Sequence, residues 1–493
     1  MTEPIISMRG VSHAYRALPV LHDLDWQFHA GEQWACLGPN GAGKTTLASI
    51  LSGQLRCSSG AVEFAREIRS TGYVCFEQQK AMCNRDRQRD DSDFRSDAQD
   101  PGTTVERAIL GQQAPGPHFE YWINRLGIRH LLQRGIRYIS TGEMRKTLLL
   151  RAIISQPQLL ILDNPLDGLD LGSQQEMALI LEELLQSELR LLLLCRQLED
   201  LPEGVSHLLV LEDGRKIRAG EREAVLADVR VQALMNPPPL ELGELPAAAQ
   251  RPYRLVRGQP LLELQGVGVN YGGVEVFRNL DWVLRPGQHC HISGPNGCGK
   301  TTLLSLINGD NHKAYGQNIT LFGQRRGSGE SVWEIKQKYG LVDTRLQLAH
   351  VRGMRVIEVV VSGFFDTIGL YDDWGDQQRQ TAGRWLRALG LGDRQQQEFD
   401  ALSFGMQRMV LLARAMVKSP IILILDEPCL GLDSYHRRAV LAAIDHIAEH
   451  SDTHILYVSH CAGEVPACIN QRLEFVAGES GFQAITRSPP APA

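Results

Sequence analysis

Short apolar runs alternate with longer amphipathic stretches through both halves of the chain. The most apolar runs, such as Leu191–Leu194 and Ile421–Leu425, have the length of buried strands, and the stretches between such runs have helical periodicity. Strands that alternate with amphipathic helices predict a mainly parallel sheet covered by helices, which is an α/β fold. No apolar run approaches the roughly 18 residues that a membrane-spanning helix requires, so the pattern predicts no membrane span.

Two of the short apolar runs lead into a glycine-rich loop and then into a helix-like stretch. Both loops fit the pattern G-x-x-x-x-G-K-[ST], in which backbone N–H groups surround phosphates and the lysine reaches the β- and γ-phosphate oxygens. The hydroxyl that follows helps to hold Mg²⁺. The sequence therefore predicts two sites for ATP or GTP. The residues concerned are Gly38, Pro39, Asn40, Gly41, Ala42, Gly43, Lys44, Thr45 and Thr46 in the first copy, and Gly294, Pro295, Asn296, Gly297, Cys298, Gly299, Lys300, Thr301 and Thr302 in the second.

The second loop belongs to a second copy of a whole domain. The loop lysine, a later Ser-x-Gly element and an acidic strand end all recur in the second half at a nearly constant spacing, as two copies of one domain require. A stretch rich in Pro and Ala, without apolar periodicity, separates the copies and is typical of a linker. We expect tandem P-loop NTPase domains over residues 1–234 and 259–493, joined by a linker over 235–258.

Composition places the chain among globular proteins and narrows its partners. Of the 493 residues, 43% are hydrophobic and 22% are charged, and the net charge of −6 argues against a general binder of polyanions, so no specific nucleic acid is predicted. The ten cysteines form no C-x-x-C pair, which favours reduced thiols in a cytoplasmic protein. Cys298 is the exception, because oxidation or alkylation inside a nucleotide loop could block ATP. The charged stretch from Asn84 to Thr104 is predicted to be a solvated loop.

In the second copy, the apolar run Ile421–Leu425 delivers a pair of carboxylates to the phosphate-binding loop. Asp426 would orient Mg²⁺ and its waters, and Glu427 would polarise the attacking water. A Gly-Leu-Asp element that ends at Asp433 follows, and a further strand leads to His460. With Lys300, these residues predict a complete hydrolytic site.

These elements resemble those of the ABC ATPase superfamily, and the resemblance covers both halves almost from end to end. It implies a parallel sheet core with a helical subdomain in each domain, a D-loop at Asp433 and a switch histidine at His460. It also implies that an aromatic residue ahead of each phosphate loop stacks on adenine, and that a serine and a glycine of each signature motif contact ATP. The residues implied are Tyr15 and Tyr271 for adenine, Ser140 and Gly142 for the first signature, and Ser403 and Gly405 for the second.

The first copy departs from the superfamily pattern at two catalytic positions. Asp163, its expected Mg²⁺ residue, is followed by Asn164 instead of Glu, and Arg196 occupies the position of the switch histidine. An amide cannot accept a proton from water, and a guanidinium stays charged and donates only. Loss of a positioned base commonly lowers a rate by ~10²–10⁴. The first site is therefore expected to bind ATP and to hydrolyse it poorly.

The resemblance also implies how the two copies would combine. In this superfamily two domains pair head to tail, and each ATP lies between one phosphate loop and the other domain's signature. The first site would then join Lys44 to Ser403, and the second site would join Lys300 to Ser140. The pairing could occur within one chain, which a linker of this length permits, or between two chains.

Two further features leave alternatives open. For the Q-loop, Gln78 is the candidate of the first copy, whereas the second copy offers Thr344 or a different residue such as Gln347. The run His446–His450 matches the H-x-x-E-H pattern of a class of zinc proteases. Its place on a predicted helix, where an exposed polar face is expected, favours a structural interpretation.

Four other runs resemble the ModF family of tandem ATPases associated with molybdate uptake: Ser140–Leu149, Gly327–Lys336, Val361–Tyr371 and Pro466–Ile469. The resemblance implies an energising subunit with a membrane permease as its partner, cytoplasmic and peripheral at the inner face of the membrane. The alternative is a soluble twin ATPase that acts on ribosomes or in DNA repair. The short linker and the single catalytic glutamate favour transport, because twin ATPases of the translation type usually have a long charged linker and two glutamates.

Overall fold

The structure is a computed structural model, and the chain forms two compact units, residues 1–237 and 238–493. No helix among the described residues is long and apolar enough to cross a membrane. The structure describes residues 3–15, 18–75, 78, 82–83, 85–86, 102–167, 169, 171–236, 238, 240–248, 258–271, 274–295, 297–343, 346–347, 353–370, 374–459, 465–478 and 481–487.

The first unit contains a small antiparallel sheet and a larger, mainly parallel one. Its strands are β1 (Pro4–Tyr15), β2 (Leu18–His29), β3 (Trp34–Leu37), β4 (Ser59–Phe64), β5 (Thr71–Val74), β6 (Leu159–Asp163), β7 (Arg190–Cys195), β8 (His207–Glu212) and β9 (Arg215–Glu221). The small sheet has the order β2-β1-β4, and the larger sheet has the order β5-β6-β7-β3-β8-β9 with β9 antiparallel at its edge.

Helices cover the larger sheet and also build a separate helical layer. Helices α2, α3 and α4 share an apolar core that includes Trp122 and Leu150, which corresponds to the expected helical subdomain. The helices of the first unit are α1 (Lys44–Leu51), α2 (Val105–Leu110), α3 (Pro117–Arg125), α4 (Thr141–Ile154), α5 (Leu171–Leu185), α6 (Arg222–Leu226) and α7 (Val229–Met235).

The second unit repeats this plan within one continuous sheet. Its strands are β10 (Leu262–Tyr271), β11 (Val274–Leu284), β12 (Cys290–Ser293), β13 (Asn318–Leu321), β14 (Gln324–Arg325), β15 (Tyr339–Val342), β16 (Ile422–Asp426), β17 (His454–Val458), β18 (Gln471–Gly478) and β19 (Gly481–Arg487). They pair in the order β14-β13-β10-β11-β19-β18-β12-β17-β16-β15. The helices are α8 (Lys300–Ile307), α9 (Val332–Lys336), α10 (Val356–Val361), α11 (Asp376–Ala388), α12 (Phe404–Met416) and α13 (Ser434–His450).

The parallel strands place the candidate residues at one edge of each sheet. β6 and β16 are apolar and fully buried up to their final aspartate, as a strand covered on both faces requires. β3 pairs in parallel with β7, which pairs with β6, and β12 pairs in parallel with β17, which pairs with β16. The carboxyl ends of parallel strands meet at one edge. The phosphate loop and the acidic strand end of each unit therefore lie together, beside the end of the strand that precedes the switch position.

Part of the predicted linker packs into the second unit. Leu240, Leu242 and Leu245 contact the apolar core of its helical layer. The N–H of Gly243 donates to the carbonyl of Ala388 at 2.8 Å. Residues 240–245 are therefore a structured element of the second unit.

Residues 240–245 also contact one histidine of the H-x-x-E-H run. His446 Nε2 lies 2.9 Å from the carbonyl of Gly243, and His450 Nδ1 lies 3.0 Å from the carbonyl of His446. Both histidines lie on α13 with exposed hydrogen bonds to backbone oxygens. Within the described ranges, no group of three or more His, Cys, Asp or Glu side chains could hold a metal ion.

The predicted solvated loop from Asn84 to Thr104 is only partly described. Within it, Asp86 is buried, accepts a hydrogen bond from the N–H of Thr103 at 2.8 Å and forms an ion pair with Arg137 at 2.8 Å. The expectation of full solvation is therefore wrong at Asp86. A sequence of alternating charges did not reveal that one carboxylate would meet a buried guanidinium.

Candidate nucleotide-binding and catalytic sites

Each phosphate loop connects a buried strand to a helix that begins at the loop lysine. In the first unit β3 leads to α1, and Gly43 at the helix start has φ of 94°. In the second unit β12 leads to α8, and Gly299 has φ of 100°. A Cβ at either glycine would lie 2.7 Å from a side-chain carbon, so both the backbone angle and the space require glycine. Asn296 lies outside the described residues.

The two loop lysines are folded back into their own loops. Lys44 is 6% exposed, and its Nζ donates to the carbonyls of Gly38 at 2.6 Å and Pro39 at 2.9 Å. Lys300 is 7% exposed and donates to the carbonyls of Gly294 at 2.8 Å and Pro295 at 3.0 Å. A nearby negative charge stabilises a buried ammonium group. The positions of the two lysine side chains therefore suit the binding of an anion such as a phosphate.

A threonine hydroxyl and a strand-end carboxylate meet beside each lysine. Thr45 Oγ1 donates to Asp163 Oδ2 at 2.8 Å, and Thr301 Oγ1 donates to Asp426 Oδ2 at 3.1 Å. Burial and the neighbouring Glu427 raise the pKa of Asp426 to about 6. A cation at this point would offset both effects, and oxygen ligands are those that Mg²⁺ prefers. The donor set therefore fits Mg²⁺.

The residue after each aspartate has the same backbone conformation in the two units. Asn164 has φ of 48° and its N–H donates to the carbonyl of Leu194 at 2.9 Å. Glu427 has φ of 50° and its N–H donates to the carbonyl of Val458 at 3.0 Å. Left-handed angles are uncommon for residues other than glycine, so their recurrence at the same position of both units is informative. The two units differ here in side-chain chemistry and not in backbone geometry.

In the first unit, the side chains around Asn164 are bound to one another. The amide of Asn164 donates to Asp163 Oδ1, and Arg145 Nη1 donates to the carbonyl of Asn164 at 2.7 Å. Arg196 Nη1 donates to Asp167 Oδ2 at 2.8 Å in a half-buried ion pair. The guanidinium at the switch position is thus engaged with a carboxylate of its own unit.

In the second unit, the switch position follows β17. Ser459 is buried, and its carbonyl lies 3.4 Å from Nε2 of His291, which is on the neighbouring strand β12. Burial lowers the pKa of His291. His460 itself lies outside the described residues.

Each signature serine forms the N-terminal cap of a helix. Ser140 caps α4 in a capping box with Glu143, and each residue's side chain bonds the other's backbone N–H. Ser403 caps α12, where its Oγ accepts from the N–H of Met406 at 3.3 Å. Gly142 and Gly405 follow in the first turns, so both predicted signatures lie at helix N-termini, which favour anions.

The predicted adenine-stacking residues are exposed rings with different supports. Tyr15 is 46% exposed and meets His13 edge-on at 4.8 Å between centroids. Tyr271 is 43% exposed, its hydroxyl accepts from Asn311 Nδ2 at 2.8 Å, and Lys313 Nζ lies 5.1 Å from the ring centroid. Both rings expose apolar surface on which an adenine could stack. The ring of Tyr271 is also held in place by the hydrogen bond to its hydroxyl.

The Q-loop candidates differ in their partners. Gln78 Nε2 donates to the carbonyl of Tyr73 at 2.8 Å, at the end of β5. Gln347 is buried and its Nε2 donates to Gln407 Oε1 at 2.9 Å and to the carbonyl of Phe404 at 3.2 Å. Gln347 thus reaches the start of the signature helix α12. Thr344 lies outside the described residues.

Cys298, whose oxidation or alkylation could block ATP, lies in surroundings that disfavour both reactions. It is fully buried beneath its loop, and burial raises the pKa of its thiol. A glycine-rich loop in a sequence does not reveal which side of the loop a small side chain faces.

Three supporting residues escaped the sequence analysis: His436, Asn311 and Arg145. His436 stands three positions after Asp433, and its N–H donates to Asp433 Oδ1 at 2.9 Å. That spacing is typical of a helix N-cap and could have identified the pair. Asn311 and Arg145 contact residues distant in sequence, which local spacing does not indicate.

Comparisons with known proteins agree with this geometry. The ABC transporter family profile matches residues 21–167 and 277–430. The chain is 39% identical over 452 residues to the ABC transporter ATP-binding protein ModF of Escherichia coli (strain K12), which covers 91% of this chain and 92% of that protein. An uncharacterised ABC transporter ATP-binding protein of Schizosaccharomyces pombe is 25% identical over 482 residues, 94% of this chain and 96% of that protein.

Two solved structures are similar over nearly the whole chain. The archaeal ribosome recycling factor aABCE1, in complex with the ribosomal stalk protein aP1, has a TM-score of 0.58 and 18% identity over 97% of this chain and 89% of that chain. Archaeal ABCE1 in a model of its ribosome-bound complex with Pelota has a TM-score of 0.61 and 17% identity over 97% and 78%. At this identity the likeness concerns the fold alone. The two family matches and the ModF relative confirm the predicted fold and family: the chain belongs to the ABC transporter family, as a tandem ABC ATPase.

Proposed function

We propose that the chain is the ATP-hydrolysing subunit of an ABC transport system and that its two ATP sites are unequal. The observation that carries the inequality is the pair Asn164 and Glu427, which have the same backbone angle and the same backbone hydrogen bond. A carboxylate can accept a proton from an attacking water, whereas an amide cannot. Hydrolysis is therefore assigned to the second P-loop.

At the second P-loop, Lys300 binds the phosphates and Glu427 polarises the attacking water. Thr301 and Asp426 would hold Mg²⁺, which neutralises phosphate charge when bound. His460 takes the role of switch histidine from its place in the sequence. At the first P-loop, the equivalent residues Lys44, Thr45 and Asp163 support the binding of ATP and Mg²⁺, but no catalytic base follows Asp163. The first site is proposed to hold ATP as a structural ligand and to turn it over slowly.

We place each ATP between one P-loop and the signature of the other domain. Ser403 and Gly405 would face the ATP at Lys44, and Ser140 and Gly142 would face the ATP at Lys300. The caps support this assignment, because each signature presents a helix N-terminus, and helix N-termini favour phosphate. Closing of the two domains on ATP and reopening after hydrolysis would then supply the mechanical step.

The proposed partner is a membrane permease, and the proposed location is the cytoplasmic face of the membrane. The similarity to ModF, whose name is that of a transporter ATP-binding protein, supports a transport role. Molybdate uptake is the system proposed from the family resemblance. An ATPase subunit would drive the permease and would not itself bind the solute.

The test uses Glu427→Gln, which should trap the ATP-bound state. The variant is isolated with ATP and Mg²⁺ from detergent-solubilised source cells, beside a Glu427→Gln, Lys44→Ala, Lys300→Ala control that lacks both P-loop lysines. A polytopic membrane protein recovered with the trapped variant and absent from the control is expected. Ribosomes or repair proteins in its place would overturn the transport role and favour a twin ATPase of a different kind.

A further inference from the structure

The signature serine of the second unit belongs to a three-residue hydrogen-bonded chain. Ser403 Oγ lies 3.3 Å from Nε2 of His436, and Nδ1 of His436 lies 2.8 Å from Asp433 Oδ1 and 3.0 Å from Oδ2. Asp433 is 3% exposed and His436 is 9% exposed. Asp433 caps α13 and Ser403 caps α12, so the imidazole joins the N-termini of two helices.

The first unit has a serine, Ser173, at the position that aligns with His436. Its Oγ would lie 3.6 Å from a Cβ built on Gly142. Ser140 instead shares its capping box with Glu143. In the second unit the imidazole lies directly against the signature glycine, because a Cβ built on Gly405 would lie 2.1 Å from His436 Cγ.

The hydrogen bonds of Ser403 determine what its hydroxyl can offer a ligand. A hydroxyl has one proton to donate and two lone pairs that accept. One lone pair accepts from the N–H of Met406. An ionised carboxylate only accepts, so the Nδ1 of His436 carries a proton toward Asp433, and Nε2 of the neutral imidazole must accept. The hydroxyl proton of Ser403 then points to His436, and the hydroxyl has no second proton to donate to a phosphate oxygen.

Protonation of His436 reverses this last bond. Nε2 becomes a donor, the second lone pair of Ser403 accepts from it, and the hydroxyl proton is free to point at an anion. The contacts of the imidazole are the carboxylate of Asp433 and the ring of Tyr435 on its own helix, and Ser403 and Gly405 on α12. Among the described residues in contact, Asp433 supplies the charge that compensates an imidazolium.

We propose that His436 sets the direction of the Ser403 hydroxyl and that binding of a triphosphate against Ser403 is coupled to uptake of a proton by His436. His436 is thus a positioning residue that acts through Ser403. The inference rests on the proposed function, in which Ser403 faces the ATP held at Lys44. It makes the first, weakly hydrolytic site sensitive to pH through a group of the second domain.

The test measures MgATP affinity at the first site in full-length Glu427→Gln protein. Lys300→Ala leaves the first site, and the matched control is the same protein with His436→Asn added, because the two chains share every other titrating group. Between about pH 6 and pH 8.5 we expect first-site affinity to fall about tenfold more in the chain that keeps His436 than in the control, the size of a hydrogen bond to a charged group. Titration of ATP itself affects both chains and cancels in the comparison.

Two variants separate the possible outcomes. His436→Asn keeps a group that can bond Asp433 but is too short to reach Ser403, and it should remove the tenfold pH-dependent fall in first-site affinity. Ser403→Ala should weaken first-site binding. If Ser403→Ala weakens binding but His436→Asn leaves the profile unchanged, the coupling is wrong and the placement of Ser403 stands. If Ser403→Ala has no effect, the placement of ATP against Ser403 is wrong, and the coupling with it. Thermal denaturation of each variant shows that it is folded.

Discussion

The strands β6 and β16 end in the same way and are followed by residues of different chemistry. Asn164 after β6 and Glu427 after β16 share a left-handed backbone and a bond to the neighbouring strand. Both units also fold their loop lysine onto two loop carbonyls and bring a threonine to the aspartate. In the proposed function, the residues that bind nucleotide are thus separable from the residue that acts as the base. One unit retains the geometry of a catalytic site around a residue that cannot act as a base.

The largest expected effect comes from exchanging the residues at these two positions for inert ones. Glu427→Gln should lower the steady-state ATPase rate of the whole chain by ~10²–10⁴, because it removes the positioned base. Asn164→Ala should change the rate by less than about twofold, because no base is lost. Both rates are measured by phosphate release at saturating MgATP. Equal losses in the two variants would contradict the assignment of turnover to the second P-loop.

The next effect concerns the stability of the two signature helices. Gly405→Ala would place a methyl group against the imidazole of His436. We expect this overpacking to lower the free energy of unfolding by about 1–3 kcal/mol. Gly142→Ala meets Leu169 Cδ2 at 3.4 Å, an ordinary contact, so its effect should stay within about 0.5 kcal/mol. Urea unfolding followed by fluorescence gives both values.

The control for this comparison removes the imidazole. His436→Ser introduces the residue that the first unit has at the aligned position, Ser173, and should make Gly405→Ala tolerable. If Gly405→Ala remains destabilising beside His436→Ser, the contact with the imidazole is not the cause of its cost.

The sequence predicted the features that depend on local spacing. The phosphate loops need glycines and a lysine at fixed positions, and a buried strand that ends in Asp is recognisable by its apolar run, so the α/β fold and the tandem family could be predicted and are confirmed. The contacts of Ser403 with His436 and of Tyr271 with Asn311 depend on where separate elements approach each other. Spacing along one element does not specify such approaches.

The packing of the predicted linker also could not be predicted from local spacing. The stretch around Leu240–Leu245 lacks helical or strand periodicity, and its Pro and Ala content is typical of a flexible connection. Its leucines nevertheless pack against the helical layer of the second unit, and Gly243 bonds to α11 and α13. A short irregular segment can be held by a few apolar side chains that no periodicity reveals.

A smaller effect is expected from restoring the missing base to the first site. Asn164→Glu, in a Glu427→Gln background, should raise the residual ATPase rate by less than about tenfold, because a base alone is only part of the site. Arg196 remains bound to Asp167 and stays a donor, so it cannot act as a histidine would. Adding Arg196→His should increase the rate further. A full recovery with Asn164→Glu alone would show that Arg196 does not limit the first site.

The smallest effect is expected at the one loop position where the two copies differ in reactivity, Ala42 and Cys298. Burial raises the pKa of Cys298, so the reactive thiolate is disfavoured at neutral pH, and the side chain is fully covered. N-ethylmaleimide at about pH 7 should therefore inactivate the natural chain and Cys298→Ala at rates that agree within about twofold. A higher pH increases the thiolate fraction of every cysteine, so the comparison is repeated at about pH 8. Protection of the ATPase by Cys298→Ala at either pH would show that the second loop opens often enough to expose its thiol.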